Sequence, residues 1–589
     1  MHAGSILPRL EWVRSYRGAA LGRDVFAGIV LTAILIPAGM GYAEASGLPA
    51  IIGLYATILP LLAYALLGPS RILVLGPDSA LLPIIAAAIV PLAAGDEARA
   101  VALAGLLAVL AGLIVTGAAI ARLGFLTDLL SAPVRHGYLN GIALIIVVSQ
   151  LPRLFGFSTD GDTVLERAGP FLTGVRDGAT NVVALAIGLA CLAVILGLRY
   201  RWPRVPGILI AVVGSTIVSA VLDLAARSGI EVVGPLPVGL PPLSLPPLAP
   251  SDILAVAPAA FGIALVAATD TSILSRSLSG RRGEEVSQDR ELLALGGANL
   301  ATGLFTGMPV SSSSSRTPVA EAAGAQTQLT SVVAAIAIGV MLVAAPDLLA
   351  SLPTATLAAV VIAAGLSLVD VGSLVRLWRL GSSEFWLALA SFLGVAIIGV
   401  VEGVFIAVAL SLLAFIRRAW WPHDAVLGRA DGVKGYHDLT YYPEARQIPG
   451  LVLYRFDAPL FFANADVFRD RVRERIQAAE SPVRWVIVAA EPITDVDTTA
   501  AAMLDRLVEE LTDAGITLAF AELKDPVRER LQRYGALERV PEDRIFPTVG
   551  TAVSGYVRAS GERWTDWEEE AGGDGPAATG PTSPPGPPR

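Results

Sequence analysis

From residue 25 to residue 418 the chain is a succession of apolar runs joined by short polar segments, and the runs have the length of bilayer crossings. A membrane-spanning helix needs roughly 20 mostly apolar residues. Fourteen windows qualify as candidates: 25–45, 51–68, 78–94, 100–121, 135–152, 180–199, 205–226, 253–275, 291–306, 312–324, 328–345, 352–370, 383–400 and 403–416. The third and tenth are unlike the others. One begins Gly76-Pro77-Asp78-Ser79-Ala80 and meets a second proline at Pro83; the other begins Met308-Pro309-Val310-Ser311, continues through Ser315, and meets Arg316-Thr317-Pro318. A proline at the start, small or hydroxyl residues and an early second proline predict a broken helix. Irregular backbone is tolerated at membrane depth only where protein or a wet cavity satisfies it, and a helix start presents N–H groups and a positive dipole end. The expected ligand of such a pair of ends is an anion.

Past Arg418 the period changes to that of a soluble α/β domain. Segments 451–456, 483–489 and 516–520 read as strands; 465–479, 499–514 and 525–534 carry apolar residues at helical spacing, with Gly515 as a stop. The sequence predicts a cytosolic N-terminal segment (1–24), a transmembrane domain (25–418), a linker (419–445), a compact domain (446–560) and a disordered Gly/Pro-rich tail (561–589).

Composition agrees with a polytopic α-helical membrane protein: 54% hydrophobic, 16% charged, mean hydropathy +0.63. Orientation follows from the arginines, because short cytoplasmic loops retain Lys and Arg. Arg199, Arg201 and Arg204 follow the sixth window; Arg276, Arg281 and Arg282 follow the eighth; Arg376 and Arg379 precede the thirteenth. That pattern places both termini and the C-terminal domain in the cytosol, in a plasma (inner) membrane. Residues 1–24 hold four arginines and no signal-peptide pattern. The single cysteine, Cys191, excludes an intramolecular disulfide and a cysteine metal site. The net charge of −9 resides largely in the soluble tail and says little about partners. No phosphate-binding loop, metal cluster or nucleophilic triad appears with suitable spacing, so neither an enzyme nor a cofactor is expected, and nothing points to nucleic acid.

Asp270, late in the eighth window, stands among apolar residues where a carboxylate is costly unless protonated, paired or bound to a cation. It is the candidate coupling site; permanent pairing with Arg316 or Arg276 is the alternative. Asp78 is expected to turn away from an anion.

These features resemble the SulP family of anion transporters with a C-terminal STAS domain. The resemblance rests on Ile36-Pro37-Ala38-Gly39-Met40-Gly41-Tyr42-Ala43, on Ser46-Gly47-Leu48-Pro49 with Gly53-Leu54-Tyr55, on Gly76-Pro77-Asp78-Ser79-Ala80, on Asn299-Leu300 with Gly303, and on 309–317. In the tail it rests on Asp457-Ala458-Pro459-Leu460-Phe461-Phe462-Ala463-Asn464 and on Asp495-Val496-Asp497-Thr498-Thr499. Ala38 stands where the family commonly has a polar residue, so a side-chain contact to substrate from that position is not expected. The resemblance implies two seven-span inverted repeats, a core domain from spans one, three, eight and ten, a gate from the rest, alternating access, and a homodimer. It places the anion between the starts of spans three and ten, at Ser79 and Ala80 on one side and Ser312, Ser313 and Ser314 on the other, with Arg316 in a supporting electrostatic role. In related transporters a residue at the place of Asp270 accepts a proton or binds Na⁺. A sodium site here would use Asp270, Ser312 and Ser314, although Leu274 supplies no oxygen; a carboxyl whose neutral form is favoured by desolvation suits H⁺. Thr499 aligns with a hydroxyl phosphorylated in related regulators, beside the alternative of a simple helix cap.

Three functions remain open at this point. The first is secondary active transport of a small inorganic or dicarboxylic anion, with sulfate coupled to H⁺ ahead of Na⁺-coupled bicarbonate, and chloride, oxalate or fumarate also compatible. The second is an anion channel. The third is an anion-sensing receptor whose STAS domain engages a cytosolic partner.

Overall fold

The computed structural model describes residue 16 and residues 18–124, 131–159, 164–202, 205–244, 249–282, 286–313, 316–381 and 383–564. They form two compact units, divided between Leu412 and Leu413.

The first unit is helical. Each of the fourteen apolar windows contains a helix: α1 (Leu21–Ala45), α2 (Ala50–Leu67), α3 (Leu82–Ala93), α4 (Glu97–Ile120), α5 (Ala132–Leu154), α6 (Val182–Arg201), α7 (Gly207–Leu222), α8 (Pro250–Arg282), α9 (Gln288–Leu304), α10 (Arg316–Ala322), α11 (Leu329–Ala344), α12 (Thr354–Leu368), α13 (Ser383–Leu393) and α14 (Val400–Trp420). Eight of the described helices are long and apolar enough to cross a membrane. α10, with seven residues, is not. Two packing groups are evident: α1, α2, α4, α8, α9 and α11 pack on one another, and α5, α6, α12 and α13 do the same. Between helices in lipid there is little hydrophobic driving force, so close backbone approach between small residues counts for more. Gly53 of α2 shows it, since a Cβ there would lie 1.8 Å from the Gly39 carbonyl oxygen of α1.

Both broken segments start later as helices than the sequence predicts. Leu75–Gly76 (β1) and Ser311–Ser312 (β2) are extended and pair antiparallel, Leu75 opposite Ser312 and Gly76 opposite Ser311. Pro77 lacks an N–H and fixes its own φ, so the chain turns through 78–81 before α3 begins, with Pro83 in the first turn where proline is tolerated. Helix α1 also begins before the expected boundary: Asp24, placed by sequence in a cytosolic segment, is in its first turn and fully buried.

The second unit is an α/β domain with strand order β4-β3-β5-β6-β7-β8: β3 (Asp424–Arg429), β4 (Tyr436–Asp438), β5 (Leu451–Phe456), β6 (Trp485–Ala489), β7 (Thr517–Ala521) and β8 (Ile545–Phe546). β5 to β8 run parallel and β3 antiparallel to both neighbours. Helices α15 (Ala465–Gln477), α16 (Thr498–Asp513), α17 (Asp525–Arg533) and α18 (Val549–Ser560) follow the strands in alternation. Strands buried on both faces read as near-continuous apolar runs, which is why β5 and β6 stand out in the sequence. The linker expected at 419–445 is corrected: it supplies β3 and β4, and Ala425 and Leu427 are part of the domain's core. The expected tail lies outside the described residues from 565 onward.

Candidate functional site

The β1–β2 pair brings the two breaks together, and side chains from four other elements complete the surroundings. Asn299, buried on α9, donates to the Val310 carbonyl at 3.0 Å and accepts from the Val310 N–H at 2.9 Å, which fixes the approach to β2. The Ser311 hydroxyl donates to the Ala267 carbonyl of α8 at 3.5 Å, one turn before Asp270. The Val74 N–H donates to the Thr317 hydroxyl at 3.1 Å, and the Ser313 N–H to the Val74 carbonyl at 3.2 Å. Both groups of Val74 therefore cross-link the two breaks at the end of the strand pair where β1 begins and β2 finishes.

Ser79 is buried in the turn before α3, and Tyr42 of α1 lies beside it. The Ala80 N–H, expected to face an anion, instead donates to Oδ1 of Asp78 at 3.1 Å. The acid folds back onto its own helix start, an ordinary use of a short carboxylate where N–H groups lack partners. On the other side, Ser312 is buried with an unpaired hydroxyl, whereas Ser313 accepts from the Arg316 N–H at 3.2 Å and so caps α10. Ser314 lies outside the described residues.

Arg316 is 2% exposed. Its Nη2 donates to the Pro77 carbonyl at 2.5 Å and lies 3.7 Å from Oδ2 of Asp78, while its guanidinium carbon sits 6.0 Å from the Tyr42 ring centroid. A side chain on Gly76 would meet Nη1 of Arg316 at 3.1 Å, so glycine permits this approach. Nε and Nη1 make no hydrogen bond among the described residues. Arg316 thus balances Asp78 and joins the tenth segment to the third with donors to spare. The expected alternative, a permanent pair between Asp270 and Arg316 or Arg276, is not what the structure has: Asp270 makes no hydrogen bond or ion pair among the described residues. Arg135, Asp78 and Tyr138 lie within electrostatic reach of Asp270.

Tyr138 of α5 carries no signal in the sequence; among the described residues its buried hydroxyl has no partner, and neither do those of Thr269, Thr271 and Ser272 around Asp270. Buried polar groups are normally satisfied; among the described residues others without a partner lie elsewhere, Ser219 and Ser391 for example, so the hydroxyls beside Asp270 are candidate contacts for a ligand or water. A tyrosine in an apolar helix carries no signal of its own in one sequence.

In the α/β unit, Thr499 is exposed in the first turn of α16, and the cap is Asp497, which accepts from Ala500 N–H at 2.8 Å and from Phe462 N–H at 2.8 Å. Thr499 has no capping part to play.

Residues 21–391 match the Sulfate permease family and residues 442–552 the STAS domain. The chain is 44% identical over 552 residues, 94% of its own length and 98% of the relative's, to a protein of Mycobacterium tuberculosis described as a probable sulfate transporter. It is 31% identical over 96% of its length, and 86% of the relative's, to an Arabidopsis thaliana protein described as probable sulfate transporter 4.2. Among solved structures, the murine Solute Carrier 26 family member A9 anion transporter in the inward-facing state superimposes with a TM-score of 0.85 at 23% identity, covering 95% of this chain and 96% of that one. The transmembrane domain of a cyanobacterial bicarbonate transporter gives 0.57 at 23% identity, over 68% and 98%. The expected resemblance is met on both units, and the chain belongs to the sulfate permease family, with a helical membrane domain followed by a STAS domain.

Proposed function

We propose that this integral membrane protein is a secondary active transporter that takes up a small oxyanion, sulfate in the first place, together with H⁺. The anion sits between the starts of α3 and α10, near Ser79, Ala80, Ser312, Ser313 and Ser314, and Asp270 carries the coupling proton. The observation that supports this most is the antiparallel pairing of β1 with β2, which holds two helix starts against each other beside an unpaired buried hydroxyl and an arginine with free N–H donors. Transporter sites built from half-helix ends follow the same logic. Because the Ala80 N–H already serves Asp78, the positive contribution on the α3 side comes from the helix end as a whole and from Arg316. The curated relatives are described as sulfate transporters, which favours sulfate among the oxyanions.

Alternating access then moves one helix group against the other, with the anion held at α3 and α10, which pack against helices of the first group. The termini and the STAS domain face the cytosol, the protein works as a homodimer in the plasma (inner) membrane, and exposed Thr499 is the regulatory hydroxyl through which a cytosolic partner acts. A sodium-coupled bicarbonate reading draws on the unpaired hydroxyl of Ser312, which with Asp270 and Ser314 offers oxygens to Na⁺.

Uptake of radiolabelled sulfate and bicarbonate into proteoliposomes under an inward H⁺ gradient, and separately an inward Na⁺ gradient, decides between them. Proton-driven sulfate accumulation that disappears in Asp270→Asn is the expected result. Sodium-driven bicarbonate accumulation would replace both substrate and coupling ion; flux without concentrative uptake would identify a channel.

A further inference from the structure

A buried carboxylate that the anion site does not use lies on α9. Glu291, in the first turn of α9, is fully buried. Its oxygens accept from the Tyr64 hydroxyl of α2 at 2.6 Å, from the Ser275 hydroxyl of α8 at 2.7 Å, and from the Ser70 hydroxyl. Three hydroxyls converging from three elements leave the carboxylate well partnered, and a buried acid in that condition holds its donors in place.

Ser70 matters because of where its chain goes. Residues 68–74 connect α2 to β1 without regular structure, so every backbone group there needs a partner from elsewhere. The partners are specific. Gln328 Nε2 donates to the carbonyls of Ser70 at 2.9 Å and Leu73 at 3.0 Å; Thr317 and Ser313 take the two backbone groups of Val74. Glu291 anchors the segment at Ser70, and the register of Leu75 against Ser312 follows five residues later.

We propose that Glu291 is a positioning residue for the anion site, acting through Ser70 on the segment that delivers β1 to its pairing with β2. Among the described residues it makes no hydrogen bond to β1, β2 or Asp270. Its effect is to have the 68–76 segment ordered before the anion arrives, so that binding does not bear that ordering cost. The proposal rests on the transport reading for its kinetic consequence, and not for its structural one.

Hydrogen–deuterium exchange on the full-length protein in lipid nanodiscs reads the structural part, and sulfate uptake in proteoliposomes the kinetic part, for wild type, Glu291→Gln and Tyr64→Phe. In Glu291→Gln the amide places N–H donors where hydroxyls now donate, and exchange in peptides covering 68–81 should rise about tenfold, with α11 and the STAS sheet unchanged. KM for sulfate should rise about tenfold while kcat stays within about twofold. Tyr64→Phe removes one donor and should shift both readouts the same way by about threefold. Unchanged exchange at 68–81, a uniform rise across the whole chain, or a fall in kcat at constant KM would each overturn the proposal. If Glu291→Gln does not fold, Tyr64→Phe and Ser275→Ala carry the same comparison. Should wild type move no sulfate under any gradient, the transport reading fails by itself, and exchange at 68–81 still decides the role of Glu291.

Discussion

Asp270 and Glu291 are carboxylates on consecutive, mutually packed helices, and their surroundings differ in the supply of donors. Glu291 accepts from three hydroxyls, and Asp24 at the start of α1 accepts from Gln326 N–H, Thr327 N–H and the hydroxyls of Thr327 and Thr330. Among the described residues Asp270 accepts from nothing, although Thr269, Thr271 and Ser272 beside it carry hydroxyls that are themselves unpaired there. A place inside the helical unit alone therefore does not separate the partnered acids from the one proposed to carry the proton. The partnered carboxylates are tied to one arrangement of their neighbours, whereas a carboxylate without partners can exchange a proton or ion at no cost in broken contacts.

The comparison breaks most readily at Asp270. Asp270→Asn should reduce gradient-driven accumulation to that of protein-free liposomes while the unfolding temperature in detergent stays that of wild type; a large drop in that temperature would make Asp270 structural. Asp24→Ala should do the reverse. Four donors lose their acceptor, and a loss of about 2–4 kcal/mol is expected, seen as a lower unfolding temperature with substrate KM unchanged in whatever protein survives. Arg316→Gln comes next. It leaves Asp78 without its counter-charge, and Asp78→Asn in the same chain should recover part of the lost affinity, with a coupling of about 1–3 kcal/mol in a double-mutant cycle. Additive losses would detach Arg316 from Asp78. The smallest effects belong to the start of α16: Asp497→Ala should cost the STAS domain about 1 kcal/mol, and Thr499→Ala less than about 0.5 kcal/mol, measured by chemical denaturation of the full chain followed at Trp485.

The sequence makes the helical windows visible because a bilayer leaves few other options, and it makes the two breaks visible because proline and serine are expensive there. Asp270 stands out for the same reason. Glu291 does not, since Gln288-Asp289-Arg290-Glu291 looks like any solvated helix start, and its partners Ser275, Ser70 and Tyr64 lie 16, 221 and 227 residues away. Asp24 is hidden likewise, at the end of an arginine-bearing segment that reads as cytosolic. Strands β3 and β4 are too short and too mixed in composition to separate from a linker, and their membership in the sheet comes from the pairing of β3 with β5 and of β4 with β3. The return of Asp78 onto Ala80 depends on backbone geometry after Pro77, which residue types alone do not specify.

The pairing of β1 with β2 also bears on how the protein is made. The Val74 N–H finds its acceptor in Thr317, 243 residues further along. While the ribosome is still synthesising the intervening helices, the first break enters the bilayer with N–H and C=O groups that nothing yet satisfies, a condition that lipid cannot relieve. The N-terminal half must therefore wait, sheltered by the insertion machinery or by water, until residues 311–317 emerge. A chain truncated before that point would leave the Val74 N–H without the acceptor it has in the full-length protein.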